Sequence, residues 1–225
     1  LLERMFFNKE VIRVSGPILL TGLGKTVGLF LWSAFFSIII GLFFAVIIYM
    51  NNKVFNFFII LYVDFFRSIP HLVLIVVIYY ALPFLGINFE PYAAGVIGLT
   101  LATSSFITEY FRAGIESVSK GQIEAAHSLG FGFFKSMRIV ILPQALKVVI
   151  PPLTGQLVGL FKNTALVSVV GMQELLKRSV EVMEWKTNPT PLIVVTIMYL
   201  IILLPFAQLS IYLEKRMKKW TKRTT

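Results

Sequence analysis

The chain has 225 residues, 57% of them hydrophobic and only 14% charged. Soluble domains are usually about 45–50% apolar and about 25% charged, so the composition excludes an ordinary soluble domain and indicates an integral membrane protein. The net charge of +10 calls for no nucleic acid, since it comes largely from basic loops and a basic tail suited to anionic headgroups, and the absence of cysteine leaves redox compartment open.

In chain order, residues 1–18 carry Arg4, Lys9 and Arg13 but no small-residue cleavage site before a long apolar run, so no cleavable signal peptide is expected. Gly22-Leu23-Gly24-Lys25-Thr26 imitates the end of a phosphate-binding loop. The required Gly five positions before Gly24 is Leu19, and the segment enters an apolar run instead of leaving a strand, so nucleotide binding is not expected. Gly24 and Gly28 read as small residues for close helix packing.

Residues 26–52 carry no charge, and a first span is expected over about 19–49, because roughly 20 apolar residues cross the hydrocarbon. The charge-free run 68–89 supports a second span over about 57–82. Asp64 and Arg67, three apart at its inner end, read either as snorkelling structural charges or as a cytoplasmic gate. His71 reads as a polar packing residue. A third span is expected over about 91–113. Its Thr103, Ser104, Ser105, Thr108 and Glu109 are polar groups within the bilayer, where a functional hypothesis is the default. The hydroxyls either meet a substrate or bond their own helix carbonyls. Glu109 and Arg112 share a helix face, as an intrahelical ion pair or as substrate contacts.

Residues 114–143 interrupt the apolar pattern. Ser119 with Gln122 reads as a capping box, and Glu124 as a first-turn carboxylate favouring the helix dipole. Ala125 and Ala126 allow close approach, His127 faces solvent or a partner, and Gly130 after Leu129 permits a sharp bend. A second amphipathic helix is expected from Phe131 to Ile141 with Phe134, Met137 and Ile141 on one face, and Pro143 turns the chain into the next span. The fourth span, about 144–170, is interrupted by Lys147, Pro151, Pro152 and Lys162. Lys162, Asn163 and Thr164 lie in its outer half. Lys162 either attracts a carboxylate in low dielectric or snorkels to the interface. In residues 171–190, Met172, Leu175, Leu176, Val180 and Met183 recur at helical spacing, with Glu174, Lys177, Arg178, Glu181 and Glu184 in the gaps. This reads as an amphipathic helix on the outer membrane face, interfacial or in contact with an extracytoplasmic partner. The charge-free run 187–213 gives the last span, about 191–213.

A cytoplasmic C-terminus places Lys53, Arg112, Lys120, Lys135, Arg138, Lys147, Lys215, Arg216, Lys218, Lys219, Lys222 and Arg223 on one side. Arg4, Lys9, Arg13, Lys25, Lys177, Arg178 and Lys186 fall on the other. The excess favours N-out, C-in. A single domain, 1–225, is expected, with five spans. No His-Glu metal helix, catalytic acid pair or activated nucleophile marks the chain as an enzyme. Intramembrane carboxylates of an ion-coupled carrier would have to be Asp64 and Glu109, both near one end.

Glu124-Ala125-Ala126, Gly130 six residues after the Glu, then Ile141-Leu142-Pro143-Gln144-Ala145 resembles the EAA loop of the polar amino acid branch of ABC permeases. Tyr62 to Pro70 resembles that branch's segment at the second span, Arg112 to Gln122 the lead-in to the loop, Leu160 to Gly171 the end of the fourth span, and Thr21 to Thr26 the entry to the first. The similarity runs from about residue 15 to 216. It implies an all-α, five-span type I ABC importer permease (MetI-like) fold in a bacterial or archaeal cytoplasmic membrane. It also implies a partner ABC ATPase dimer that binds ATP and Mg, a second permease subunit, an extracytoplasmic solute-binding protein and an amino acid substrate. By the same resemblance Glu124, Ala125, Ala126, His127, Leu129, Gly130 and Phe131 couple to the ATPase, and Thr103 and Ser104 stand where residues of the family often face the dimer axis; with Glu109, Lys162, Asn163 and Thr164 they are the candidates for the substrate pathway. Asp64, Arg67 and Arg112 are gate or structural charges. Position 163 is often acidic in relatives, and the neutral Asn163 here favours an acidic or neutral amino acid over a cationic one.

Overall fold

The computed structural model describes residues 6–224, with side chains for residues 6–217. Arg4 and the side chains of Lys218, Lys219, Lys222 and Arg223, used above for orientation, lie outside the described residues. Among those described the chain is helical throughout, without strands. α1 is Lys9–Tyr49, α2 Lys53–Ser68 and α3 His71–Val76, which continues as a π-helical turn Val77–Ala81 and a 3-10 turn Leu82–Leu85. α4 is Pro91–Glu116, α5 Lys120–Ser128 and α6 Phe133–Ser136, which runs on as a π-helical turn Met137–Ile141. α7 is Leu142–Asn163, followed by a 3-10 segment Thr164–Val170; α8 is Leu175–Lys186 and α9 Thr190–Thr224.

Among the described residues three helices are long and apolar enough to cross a membrane: α1, α4 and residues Thr190–Met217 of α9. α2 with Lys53–Ser68 and the following His71–Leu85 would make a fourth if the bent pair is one span. The uninterrupted second span expected over 57–82 is therefore corrected. Proline supplies no amide hydrogen, and the residue before it is pushed out of the helical region. Pro70 accordingly stands outside the helix with φ −57° and ψ 135°, capping α3. α1 begins ten residues before the expected 19. α7 and its 3-10 extension cover the expected fourth span, but α7 does not meet the length-and-composition test that the three helices pass. Pro151 and Pro152 sit side by side inside it, removing two amide donors, and the Thr154 hydroxyl donates to the Pro151 carbonyl at 2.8 Å.

The chain divides into two compact units, each assembled from separate stretches of sequence. The unit made of 36–68, 103–157 and 207–225 is centred on Ile107, Phe111, Ile115, Met137, Ile141 and Val149, all buried. Gly41 brings α1 against α4, where a Cβ would stand 3.0 Å from the Thr108 nitrogen, and Gly114 brings α4 against Val149 and Ala145 of α7. Outward, α2 presents Phe55, Phe57, Phe58 and Phe65, all exposed, while Ser104, Ser105 and Thr108 of α4 are buried. Apolar surface outside and hydroxyls inside suit a hydrocarbon surrounding.

The unit made of 1–35, 69–102 and 158–206 holds a cluster of Leu19, Leu175 and Val195, with Phe161 set edge-on to Phe30 at 5.3 Å and to Tyr199 at 6.0 Å. The sequence places Glu174 in the polar gaps of an interfacial helix. The structure corrects this: Glu174 is fully buried and caps α8. Its Oε2 accepts from the Leu176 amide at 2.9 Å and its Oε1 from the Lys177 amide at 2.6 Å. Thr26 of α1 and Tyr199 of α9 each donate a hydroxyl to Oε2 at 3.5 Å. The inward face of α8 is Leu175, Ser179 and Val182, so Leu176, Val180 and Met183 are only half-buried.

Two outcomes follow from this packing. Gly114→Leu is expected to lower the melting temperature in detergent by the equivalent of about 1–3 kcal/mol, the usual cost of overpacking. Glu174 lies in the connection between spans, and burial raises its carboxyl above the ordinary carboxylate range, outweighing the hydrogen bonds that favour its charge. Between the unfolded value, about 4.3, and the higher folded value the native state binds more protons. Its contribution to stability is therefore full below the unfolded value and lost as pH rises through the folded one. A thermal-melt series against pH is expected to show this fall in the parent protein, with the slope reduced in Glu174→Gln.

Candidate functional site

α5 and the turn after it form an elbow whose backbone is specified residue by residue. The Gly130 amide donates to the His127 carbonyl at 2.9 Å, the Phe131 amide to the Ala126 carbonyl at 3.0 Å, and Gly130 has φ +75°. This is a Schellman ending, and the left-handed residue at its centre is where glycine carries no side-chain penalty. Ser136, buried, donates its hydroxyl to the Phe131 carbonyl at 3.4 Å, and Lys135 lies 4.1 Å over the Phe131 ring. Tyr49 of α1 meets Phe133 at 6.1 Å between rings, and Met137 and Ile141 enter the core. The elbow is thus fastened from beneath.

Glu124, Ala125, His127, Leu129 and Gly130 are exposed, Phe131 is half-buried, and Ala126 is buried within the chain itself. Small size at position 126 therefore serves packing inside this chain. Leu129 is 74% and Phe134 79% exposed, an unusual placement for large apolar side chains beside charged residues. Four sequence expectations are corrected here. Ser119 occupies the N-cap position of α5 without a side-chain capping bond, and Gln122 pairs instead with Gln144 of α7. Glu124 is past the first turn of α5. Phe134 does not share a face with Met137 and Ile141, because the second helix starts at Phe133 and widens into a π turn that puts Phe133 on the inner side. Pro143 makes no turn; the helical backbone continues from Ile141 through Leu142 into α7.

At the α2–α4 contact, Arg112 Nη2 meets Glu109 Oε2 at 2.6 Å, Arg112 Nη1 meets Glu116 Oε1 at 3.0 Å, and Arg67 Nη1 stands 3.8 Å from Glu109 Oε2. The intrahelical pair expected for Glu109 and Arg112 is present. The Asp64–Arg67 pair is not found among the described residues: Asp64 is exposed, and Arg67 turns across to Glu109 and the Phe106 ring, 5.4 Å away. The carboxylate is hydrogen-bonded to Arg112 of its own helix and, without a hydrogen bond, ion-paired with Arg67 of α2, a clasp of opposite charges between α2 and α4. Above it, the Tyr62 and Ser104 hydroxyls are 2.7 Å apart and Thr108 donates to the Ser104 carbonyl at 2.8 Å. The Thr103 hydroxyl is buried with no hydrogen-bond partner among the described residues.

Thr103, Ser104 and Glu109 belong to one unit and Lys162, Asn163 and Thr164 to the other. Lys162 is exposed at the end of α7, Asn163 half-buried, and Thr164 buried with its hydroxyl donated to the Phe161 carbonyl at 2.7 Å. Gly24 is exposed with open space around it, which removes it as a packing glycine, whereas a Cβ on Gly28 would stand 3.0 Å from the Tyr92 hydroxyl. His71 is half-buried.

A model of the family described as "Binding-protein-dependent transport system inner membrane component" matches residues 37–219. The probable glutamine ABC transporter permease protein GlnM of Bacillus subtilis is 42% identical over 164 residues, covering 70% of this chain and 74% of that protein. The probable amino-acid ABC transporter permease protein YckA of the same organism is 35% identical, covering 77% and 76%. Among solved structures, an amino acid ABC transporter with histidines superposes with a TM-score of 0.83 at 30% identity, covering 94% of this chain and 100% of that one. The inward-facing MetNI methionine ABC transporter superposes at 0.73 with 23% identity, which speaks to fold, over 89% and 96%. With its helical fold, its exposed elbow and a match across residues 37–219, this chain belongs to the family of binding-protein-dependent transport system inner membrane components.

Proposed function

We propose that this chain is the permease subunit of an ATP-driven importer of polar amino acids, working with a second permease subunit and an ABC ATPase dimer. The ATPase holds the nucleotide and its Mg, and an extracytoplasmic solute-binding protein delivers the substrate. The observation that carries the reading is the elbow: a short helix with an exposed Glu124-Ala125 edge, a glycine-set turn and a bare Leu129, anchored on its inner side by Ala126 and Ser136. A surface apolar residue on a rigid turn is suited to a pocket of a partner protein. The N-out, C-in orientation from the positive-inside bias puts this elbow in the cytoplasm, within reach of the ATPase.

Closure of the ATPase dimer then pushes on the elbow, and the continuous helical run from Phe133 through α7 carries the displacement into the membrane. The Arg67–Glu109–Arg112 clasp holds α2 and α4 together at their polar end during this movement. Thr103, whose hydroxyl is unmet among the described residues, is the candidate substrate contact of one unit, and the exposed Lys162 and half-buried Asn163 are those of the other. A neutral Asn163 beside a cationic Lys162 suits a neutral or acidic side chain, and relatives named for glutamine agree with that polarity. An ion-coupled secondary carrier is not favoured: Glu109 is clasped by arginines, and the matched family and relatives belong to binding-protein-dependent and ABC systems.

Leu129→Asp is expected to insert normally in the membrane but to weaken co-purification with the ATPase by about tenfold or more, as loss of an interface anchor does. Unchanged association would remove the elbow from the coupling path. Asn163→Asp is expected to shift competition in an uptake assay toward cationic amino acids, since the added carboxylate in a low-dielectric route attracts them and repels acidic ones.

A further inference from the structure

The phosphate-loop lookalike at Gly22–Thr26 binds no phosphate in the reading above, yet both of its ends meet Glu174, Gly22 at its backbone and Thr26 at its carboxylate. Gly22 and Thr26 are four apart and so share one face of α1. A Cβ on Gly22 would stand 3.0 Å from the Leu175 Cα and 3.1 Å from the Glu174 carbonyl oxygen. Only a bare α-carbon lets α1 come this close to the start of α8.

One turn along α1, the Thr26 hydroxyl does two things. It donates to Glu174 Oε2 at 3.5 Å and accepts from the Leu175 amide at 3.0 Å. The Glu174 carboxylate takes the next two amides, and the Glu174 amide itself donates to the Met172 carbonyl at 2.9 Å. The first four amides of a helix have no partner within it. Here all four are met, and one of the acceptors comes from a helix about 150 residues away in sequence, the separation being 149 for Thr26 and Leu175. Tyr199 of α9 closes the other side of the same carboxylate. Glu174 has no ion pair among the described residues; Arg178, one turn along the helix, is paired with Glu181 at 3.0 Å.

From this geometry we infer that Glu174 is a positioning residue of the transport cycle. It joins α8 to α1 through Gly22 and Thr26 and to α9 through Tyr199, so that α8 travels with those helices as one piece and does not act as a separate lid. This rests on the transporter reading given above only for its effect on uptake. The joint itself is a statement about three helices.

The chain has no cysteine, so labels can be placed singly. Spin labels at Glu184→Cys and Thr21→Cys, both exposed positions, report the separation of α8 from α1 in the full transporter in lipid nanodiscs. A narrow distance distribution is expected in the parent and in Glu174→Gln, whose one amide oxygen can replace Oε2 toward the Leu176 amide and the Thr26 and Tyr199 hydroxyls. Glu174→Ala and Thr26→Val are expected to broaden it. In the same complexes the maximal rate of ATP-dependent uptake is expected to fall at least about fivefold in Glu174→Ala, the lower range of coupling energies, with the apparent affinity for loaded binding protein unchanged. Rescue by Glu174→Gln separates positioning from general loss of fold. A distribution that stays narrow in Glu174→Ala, or uptake that keeps its full rate, overturns the inference. No ATP-dependent uptake in the parent overturns the transporter reading, while the distance measurement still decides the joint.

Discussion

In hydrocarbon no water stands ready for a backbone amide or carbonyl, so every such group must find its partner inside the protein. That constraint explains why the described chain is helix almost from end to end, and it also explains where regular helix is allowed to stop. At Pro70 the break falls in the sequence where a proline cannot continue the ladder, and the Leu74 amide takes up the Pro70 carbonyl at 3.1 Å. After Asn163 the chain tightens into 3-10 turns instead of opening, and Gly171 ends them with its amide on the Ser168 carbonyl. At Glu174 the helix start is closed by side chains from three helices.

Charge obeys the same constraint with a higher cost for failure. Of the carboxylates near helical packing surfaces, Glu109 is answered by two guanidiniums and remains partly exposed, whereas Glu174 is sealed and answered only by neutral donors. The first arrangement clasps two helices by attraction. The second orders three by geometry, because hydroxyls and amides must point at the oxygens to satisfy them. The elbow at Gly130 is the third fixed point, and its turn is set by a backbone conformation that one residue type adopts freely, with buried Ser136 fastening it from beneath.

Much of this was legible in the chain. Charge-free runs located α1 and α9, and a shorter apolar stretch located α4, because length and apolarity are properties of local sequence. The ordered blocks around Glu124, Gly130 and Pro143 identified the family and the elbow. What local sequence could not supply was partnership. The spacing of Asp64 and Arg67 predicted a pair, but Arg67 had a closer offer from Glu109 on another helix. Ser119 and Gln122 had the right types for a capping box, but Gln122 found Gln144. Glu174 read as a solvated charge between apolar positions, since nothing near it in sequence announces Thr26 or Tyr199. A signal did exist: Gly22 and Thr26, four apart on an apolar helix, are a small residue and a hydroxyl on one face, the sort of surface that receives a neighbouring backbone. The phase of the Phe131–Ile141 helix failed for a different reason, a π turn that adds a residue and rotates everything before it.

The adjacent prolines of α7 have a mechanical consequence. Where two successive rungs are missing, a helix bends under less load than it does along an intact stretch. In the proposed cycle, force entering at the start of α7 meets a compliant collar at residues 151–152, steadied by the Thr154 hydroxyl and, at 2.9 Å, the Ser210 hydroxyl of α9. Such a collar turns a push along the rod into a tilt of its leading end, so the stroke a motor delivers at one face need not be matched by an equal slide at the other.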